Sequence, residues 1–315
     1  MKKVKSKKKI FITGGTGVVA TAFIKKYHKK YEIFTFSRGE GKIAKMNTEF
    51  PNVITILGDI RNYELLLMLL NQIKPNVIVH AGAVKHIDLA EKNPTQTIEN
   101  NIIGSHNIIR AAITANVKLT IGISTDKACE AGSIYGESKR MMERMFMEQH
   151  TTRNKFVCTR FANVADCKGS VLPLWEELGK KGETLKITDK KMNRLFFTTE
   201  ESAELIHKCL DLSRVYDESF ILSKKMKNIP LIKLAELISN HYGVEVKEIG
   251  ARVGEKLNET LISEKEVRNT IVEGDYILLF EKEKSKTKNL VSPLSSLSAK
   301  EMTNDEIQKI VDIVR

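Results

Sequence analysis

Ile10-Phe11-Ile12-Thr13-Gly14-Gly15-Thr16-Gly17-Val18-Val19-Ala20 passes from an apolar run through glycines into small and branched residues. A short uncharged run bounded by glycine reads as a buried strand. The residues after Gly17 resume at helical spacing, so strand, tight turn and helix follow one another as at the start of a βαβ unit. Such a turn lets the backbone approach a pyrophosphate, which the positive end of the helix then holds. Gly14, Thr16, Gly17 and Val18 are therefore candidate cofactor contacts. Glycines alone are a weak signal; their place after a first strand gives them weight. Ala20 stands where a third glycine is usual and is small enough for close helix–sheet packing.

Outward from this turn, strand-like runs recur at 10–13, 33–36, 53–57, 77–80, 119–124 and 156–161, with helical patterns near 18–30, 62–72, 97–116 and 134–150. Strands alternating with helices predict an α/β fold, a Rossmann-type doubly wound parallel sheet with ligands along one sheet edge. Past about residue 170 the alternation breaks down. Helical patterns at 199–211 and 231–242 suggest a smaller substrate-binding domain over that edge. The expected division is a nucleotide-binding domain over 1–168, with some later segments returning to it, and a substrate domain with a C-terminal tail over 169–315. The stretch 285–298 is polar and gives no clear element, and Thr303 is a candidate cap for a last helix over 304–314.

The 315 residues carry 51 Lys and Arg against 39 Asp and Glu, a net charge of +12. That excess suits phosphorylated partners, or solvated lysine-rich faces. The lysines are scattered and not interleaved with aromatics, which argues against a nucleic-acid groove. No apolar run reaches the roughly 18 residues of a membrane span, and the lysine-rich start leads into glycines rather than a signal sequence. A cytoplasmic chain is expected. The four cysteines, at 129, 158, 167 and 209, form no Cys-x-x-Cys and fit a reducing compartment with no metal site.

Ser37-Arg38 ends the second strand where an NAD-binding chain usually carries an acid for the ribose 2′-hydroxyl. Arg38 would instead pair with a 2′-phosphate, which favours NADP; an ordinary surface arginine would look the same. Asp59-Ile60 follows the third strand, where the carboxylate could reach the adenine amine or simply cap a loop.

Tyr135 and Lys139 stand four apart within a helical pattern, after a strand closed by Ser124-Thr125. On one helix face an ammonium near the phenol would favour phenolate. Thr125 would hydrogen-bond the hydroxyl being oxidised. Asp126-Lys127 comes next, and hydride transfer alone has no need of it. Removing water from a sugar does need a base for a carbon-bound proton and an acid for the leaving hydroxyl. A loop-end ion pair is the plainer alternative.

Three motifs, His80-Ala81-Gly82-Ala83-Val84-Lys85-His86, Ser124-Thr125-Asp126-Lys127-Ala128 and Tyr135-Gly136-x-x-Lys139, resemble those of the soluble, inverting UDP-N-acetylglucosamine 4,6-dehydratases. So do Arg160-Phe161-Ala162-Asn163-Val164, Gly169-Ser170-Val171-Leu172-Pro173 and the late run from Arg252 through Gly254-Glu255-Lys256-Leu257. These enzymes are extended short-chain dehydrogenases/reductases, and the likeness covers about 9–265. It implies a hydro-lyase with tightly bound, recycled NADP and a UDP-sugar substrate, assembled as a homo-oligomer. By the same resemblance Tyr135 takes the 4-hydroxyl proton, Lys127 acting neutral removes the C5 proton, and Asp126 protonates the departing 6-hydroxyl. Desolvation beside Lys139 and Lys85 would give Lys127 its low pKa. Further cofactor positions are Ala81, Gly82, Ala83, Lys85 and Asn101; Lys85, Asn163, Val171, Arg194, Arg252 and Glu255 fall to the substrate. His86 is a possible contact, and Trp175 reads as packing. The stretch Val164-Ala165-Asp166-Cys167-Lys168 departs from the family, which carries more glycine and an arginine there, as do Gly82 and Ala162. These changes leave the exact sugar open.

Two other readings fit the nucleotide turn. A 4-epimerase or reductase of the same superfamily would need Thr125, Tyr135 and Lys139 but not Asp126-Lys127. A non-catalytic NADP-binding scaffold would have no use for the full set.

Overall fold

A computed structural model describes residues 6–167, 170–250, 252, 254–284 and 289–315. The strands are β1 (Lys9–Thr13), β2 (Glu32–Ser37), β3 (Ile54–Leu57), β4 (Val77–His80), β5 (Leu119–Thr125), β6 (Lys155–Phe161), β7 (Asn163–Val164), β8 (Leu185–Ile187), β9 (Asn193–Phe197), β10 (Phe220–Lys224), β11 (Asn228–Pro230), β12 (Val246–Glu248), β13 (Thr260–Ile262), β14 (Thr270–Glu273), β15 (Tyr276–Phe280) and β16 (Leu294–Ser295). The helices are α1 (Val18–Tyr27), α2 (Glu40–Glu49), α3 (Tyr63–Ile73), α4 (Ile87–Lys92), α5 (Pro94–Thr97), α6 (Gly104–Thr114), α7 (Ile134–Glu148), α8 (Val171–Lys180), α9 (Thr199–Leu212), α10 (Leu231–Tyr242) and α11 (Asn304–Asp312).

The main sheet has the order β14-β15-β10-β6-β5-β4-β1-β2-β3. The seven strands from β10 to β3 are parallel, and β15 and β14 close the far edge antiparallel. Ile10, Phe11 and Ile12 of β1 are wholly buried, as a central strand covered on both faces requires. From β1 the chain winds outward to β3 and then returns to β4, so the order reverses between β1 and β4. Ligands of doubly wound sheets sit at that reversal.

The doubly wound α/β expectation holds, and the six early strands fall where the apolar runs placed them. Helix α2 was not foreseen: its sequence, Glu-Gly-Lys-Ile-Ala-Lys-Met-Asn-Thr-Glu, buries only Met46 and so carries little periodicity. The pattern over 97–116 resolves into α5, a π-helical turn Ile98–Ile103 and α6. Segments β10, β14 and β15 return to the main sheet, and α9 packs on α1. A second apolar cluster gathers Leu172, Trp175, Ile187, Phe196, Leu234 and Ile307 from α8, β8, β9, α10 and α11. Thr303 does cap α11, in a reciprocal box with Glu306. Lys168, Gly169 and 285–288 lie outside the described residues. Among the described residues no helix is long and apolar enough to cross a membrane.

Candidate active site

A cleft of about 1240 Å³ runs along the strand ends from the glycine turn to the second cluster. Gly14 adopts φ 64°, and a Cβ there would lie 2.7 Å from Gly82 Cα, so the turn and the loop after β4 touch backbone to backbone. Helix α1 starts at Gly17 with no capping side chain, which leaves its first N–H groups for an anion. The bare backbone cradle and the uncapped helix end fit a dinucleotide pyrophosphate. Gly14, Thr16, Gly17, Val18, Ser37, Arg38, Ile60, Ala81, Gly82, Ala83 and Lys85 all line the cleft. Arg38 is half exposed, with its nearest carboxylate, Asp59, 3.5 Å away.

Two expected cofactor contacts have other tasks. Asp59 does not line this cleft; its carboxylate is gripped by Arg61, with Nη2 at 2.8 Å and Nε at 3.1 Å. Asn101 is buried in the π-helical turn, where its amide holds Val84 N at 2.8 Å, Val84 O at 2.9 Å and Ser138 Oγ at 2.9 Å. It therefore fixes the 81–85 loop against α7. Beneath that loop, Thr13, His80 and Ser105 form a buried chain of 2.7 and 3.0 Å contacts. Burial, aided by the Lys139 charge, pushes the His80 imidazole down to about 3, so it stays neutral.

Strand β5 delivers Thr125, and the single turn Asp126–Ala128 follows. Ser133 caps α7 by accepting from Gly136 N. A Cβ on Gly136 would collide with the Lys127 carbonyl, so glycine lets α7 press on the turn that carries Lys127. Thr125, Lys127, Tyr135 and Lys139 reach the cleft together. Lys127 Nζ lies 3.0 Å from Asp126 Oδ1, 3.5 Å from Glu259 Oε1 and 3.5 Å from Asn163 Oδ1. Thr125 Oγ1 donates to the same Asp126 Oδ1 at 2.9 Å.

Three electrostatic expectations change here. Burial alone would depress the Lys127 pKa, but the Asp126 and Glu259 carboxylates outweigh it and hold the amine protonated well above the ordinary lysine range. Lys127 rests as a paired ammonium, not a neutral amine. Tyr135 is pushed up to about 12 by burial, against the opposing pull of Lys127 and of hydrogen bonding with Thr125. It rests as a phenol, because Lys139 Nζ is turned to the Ile123 carbonyl at 2.7 Å. Burial brings Lys139 itself down to about 8. Finally, Asp126 is wholly buried behind Thr125 and Lys127 and does not line the cleft; its Oδ2 has no hydrogen-bond partner.

At the far end, Asn163, Val171, Arg252 and Glu255 line the cleft. Arg252 and Glu255 close a turn on each other, with Glu255 N donating to Arg252 O at 3.1 Å. Arg194 lines the cleft too, but its guanidinium is occupied. Nη1 donates to Asn193 O and Leu257 O at 2.9 Å each, and Nη2 donates to Lys256 O at 2.7 Å. Arg194 thus clamps the strap that follows Arg252, instead of offering a fork to a diphosphate. Trp175 is buried and donates to Lys186 O, while His86 stands exposed at the cleft rim. Glu259 is not singled out by the sequence, and Arg160 stands there within a motif without a role of its own. Glu259 is buried at the end of the strap, and its signal is a lone acid just ahead of the strand-forming Thr-Leu-Ile. Arg160 is buried in an ion cluster with Glu143 and Glu266.

A doubly wound sheet that brings Thr125, Tyr135 and Lys139 to its reversal-point cleft defines an extended short-chain dehydrogenase/reductase. Comparison with known proteins is consistent with that class and narrows it. The chain matches the polysaccharide biosynthesis protein family over residues 10–281 and belongs to that family. It is 33% identical to a UDP-N-acetylglucosamine 4,6-dehydratase (inverting) of Campylobacter jejuni, over 82% of this chain and 78% of that one. An uncharacterized membrane protein of Methanocaldococcus jannaschii is 31% identical over 96% of this chain and 95% of its own. Among solved structures, Pen from Bacillus thuringiensis superposes with a TM-score of 0.89 at 25% identity, covering 98% of each chain.

Proposed function

We propose that this chain is a nucleotide-sugar 4,6-dehydratase. It takes a UDP-N-acetylhexosamine, UDP-N-acetylglucosamine first among them, to the 4-keto-6-deoxy sugar with inversion at C5. The observation that carries the reading is the Asp126–Lys127 pair, 3.0 Å apart, with Lys127 opening on the same cleft as Thr125 and Tyr135. The Campylobacter relative's activity supports the same chemistry. NADP bound along the glycine turn would supply the hydride acceptor for C4 and return the hydride to C6.

The chain's own residues divide the proton work. Tyr135 takes the 4-hydroxyl proton, with Thr125 hydrogen-bonding the same oxygen. A ketone at C4 acidifies C5–H, which Lys127 removes. Asp126 supplies the proton that leaves with the 6-hydroxyl; lying behind Thr125, it delivers that proton through Thr125 Oγ1. Arg252, the uncapped start of α8 at Val171 and the +12 net charge favour the diphosphate.

Incubating the protein and NADP with UDP-N-acetylglucosamine tests the reading. Mass spectrometry and proton NMR should show a product lighter by one water with a new methyl doublet; an isomeric product would make the enzyme an epimerase. For the cofactor, Arg38→Ala should weaken NADP by about 10–100-fold and leave NAD unchanged, since one charge-assisted contact contributes about 1.5–3 kcal/mol. Fluorescence titration with both dinucleotides measures it, and equal losses for the two would remove Arg38 from the 2′-phosphate.

A further inference from the structure

Lys127 presents a contradiction: the proposed base at C5 is held as an ammonium by two buried carboxylates. Of the two, Asp126 Oδ1 already accepts from Thr125 Oγ1 as well as from Lys127. Glu259 is the other, 3% exposed, with Lys127 its single cation within salt-bridge distance among the described residues. We propose that Glu259 takes the Nζ proton of Lys127, converting it to the free amine that removes the C5 proton, and returns that proton when the cycle closes.

The inference rests on the dehydratase reading and deepens it. Glu259 is held from both sides: its N–H donates to Ser296 Oγ at 3.0 Å, and its carbonyl accepts from Ser296 N at 2.8 Å. Arg194 pins the strap just before it, at Lys256 and Leu257. A carboxylate so fixed, 3.5 Å from Nζ, can exchange a proton with a small lysine movement. Burial favours the neutral acid and raises the Glu259 pKa, against the Lys127 charge. The groups facing Lys127 are Asp126 on its own turn, Glu259 on the strap, Arg194 on β9, Asn163 on β7 and Tyr135 on α7; Lys256 acts on Glu259 from beyond.

The protons then balance. The 4-hydroxyl proton passes to Tyr135, whose own proton moves to Thr125 Oγ1, and the Thr125 proton moves to Asp126. Lys127 gives its proton to Glu259 and receives the one from C5. Asp126, now an acid, returns its proton through Thr125 to the departing hydroxyl, and water leaves. As C6 regains its hydride, solvent water protonates C5 on the face opposite Lys127; Lys127 passes a proton through solvent to the hydroxide left behind, and Glu259 gives its proton back to Lys127. Every side chain ends as it began. Glu259 does not line the cleft; it is a positioning residue acting through Lys127.

Glu259→Gln keeps the shape and removes the acceptor. C5 exchange, followed by deuterium uptake into UDP-N-acetylglucosamine, should fall about 100-fold near neutral pH. Its profile should change from flat to rising about tenfold per pH unit, because the Lys127 proton must then leave to solvent. Glu259→Asp should restore most of the rate and the flat profile. A folded Gln variant with the parent rate and profile overturns the proposal. If that variant does not fold, the Asp variant decides, and a rising profile there would overturn it. NMR titration of carbon-labelled lysine reads the pairing without substrate: Lys127 should lose its proton at lower pH in the Gln variant than in the parent, and an unmoved titration overturns the pairing. A moved titration upholds it even if the parent protein leaves UDP-N-acetylglucosamine untouched, a result that sinks only the substrate reading.

Discussion

Lys127→Ala should stop deuterium from entering C5 and lower dehydration by about 10²–10⁴-fold, the range a positioned base contributes. Lys127 is the cleft-lining amine that joins both buried carboxylates, so no neighbour can replace it. Cofactor binding should survive, because the Gly14 turn and the Lys139–Ile123 contact do not depend on it. Asp126→Asn should lower both C5 exchange and loss of water, because Asp126 accepts the proton released at the 4-hydroxyl before returning it to the leaving group. Proton NMR of each reaction in deuterated buffer measures both. Exchange at the parent rate in Lys127→Ala would move the base elsewhere. The alanine variant carries a second signature. Without the ammonium, Glu259 is buried with no salt-bridge partner among the described residues, and its pKa, already raised by burial, loses the charge that opposed the rise. A carboxyl whose folded pKa is raised binds more protons folded than unfolded, so stability falls as pH rises. The variant should therefore be most stable in mild acid and lose ground toward neutrality, as thermal melts across pH would show.

What the residues disclose in advance, and what they hide, follows from how far each determinant lies along the chain. The β1 turn is legible because its requirements are local: an apolar run, a glycine at φ 64° and a helix start. The Thr125, Tyr135 and Lys139 set is legible because α7 fixes its spacing. The charge of Lys127 is not, since the decisive second carboxylate, Glu259, arrives on a strap from another part of the chain. Arg194 misleads for the same reason: its forked donors suit a diphosphate, but three backbone carbonyls, two of them on that strap, reach it first. Asp59 misleads through a residue only two positions away, where Arg61 offers a bidentate grip that position after a strand does not reveal. Tyr135 and Lys139 do share a helix face, yet the Ile123 carbonyl turns the ammonium aside. In each case the residue type is readable and its partner is not.

Arg160→Met should cost about 3–5 kcal/mol, because it strands the buried Glu143 carboxylate and the partly buried Glu266 at once. All five guanidinium donors of Arg160 are used. Nε and one Nη2 bond hold Glu143 at 3.1 and 2.8 Å, Nη1 and Nη2 each hold Glu266 at 3.0 Å, and Nη1 also holds Leu261 O at 2.7 Å. Glu143 lies on α7, the helix of Tyr135, while Leu261 lies two residues beyond Glu259, so this cluster ties the strap to the catalytic helix. Burial would raise the Glu266 pKa, but Arg160 and the Ser263 N–H hold it down to about 2. A carboxylate with a depressed folded pKa stabilises above its unfolded value near 4.3, and the gain is lost as pH falls toward about 2. The shift corresponds to roughly 3 kcal/mol by linkage. Denaturant unfolding between about pH 5 and pH 2 should thus show a steep acid limb in the parent protein and a shallow one in Arg160→Met. Adding Glu143→Gln and Glu266→Gln to the methionine variant should recover part of the loss, since the stranded charges go with their partner. An acid limb equally steep without the guanidinium would mean that some other group holds Glu266, and the tie between strap and helix would have to be sought in the Leu261 carbonyl alone.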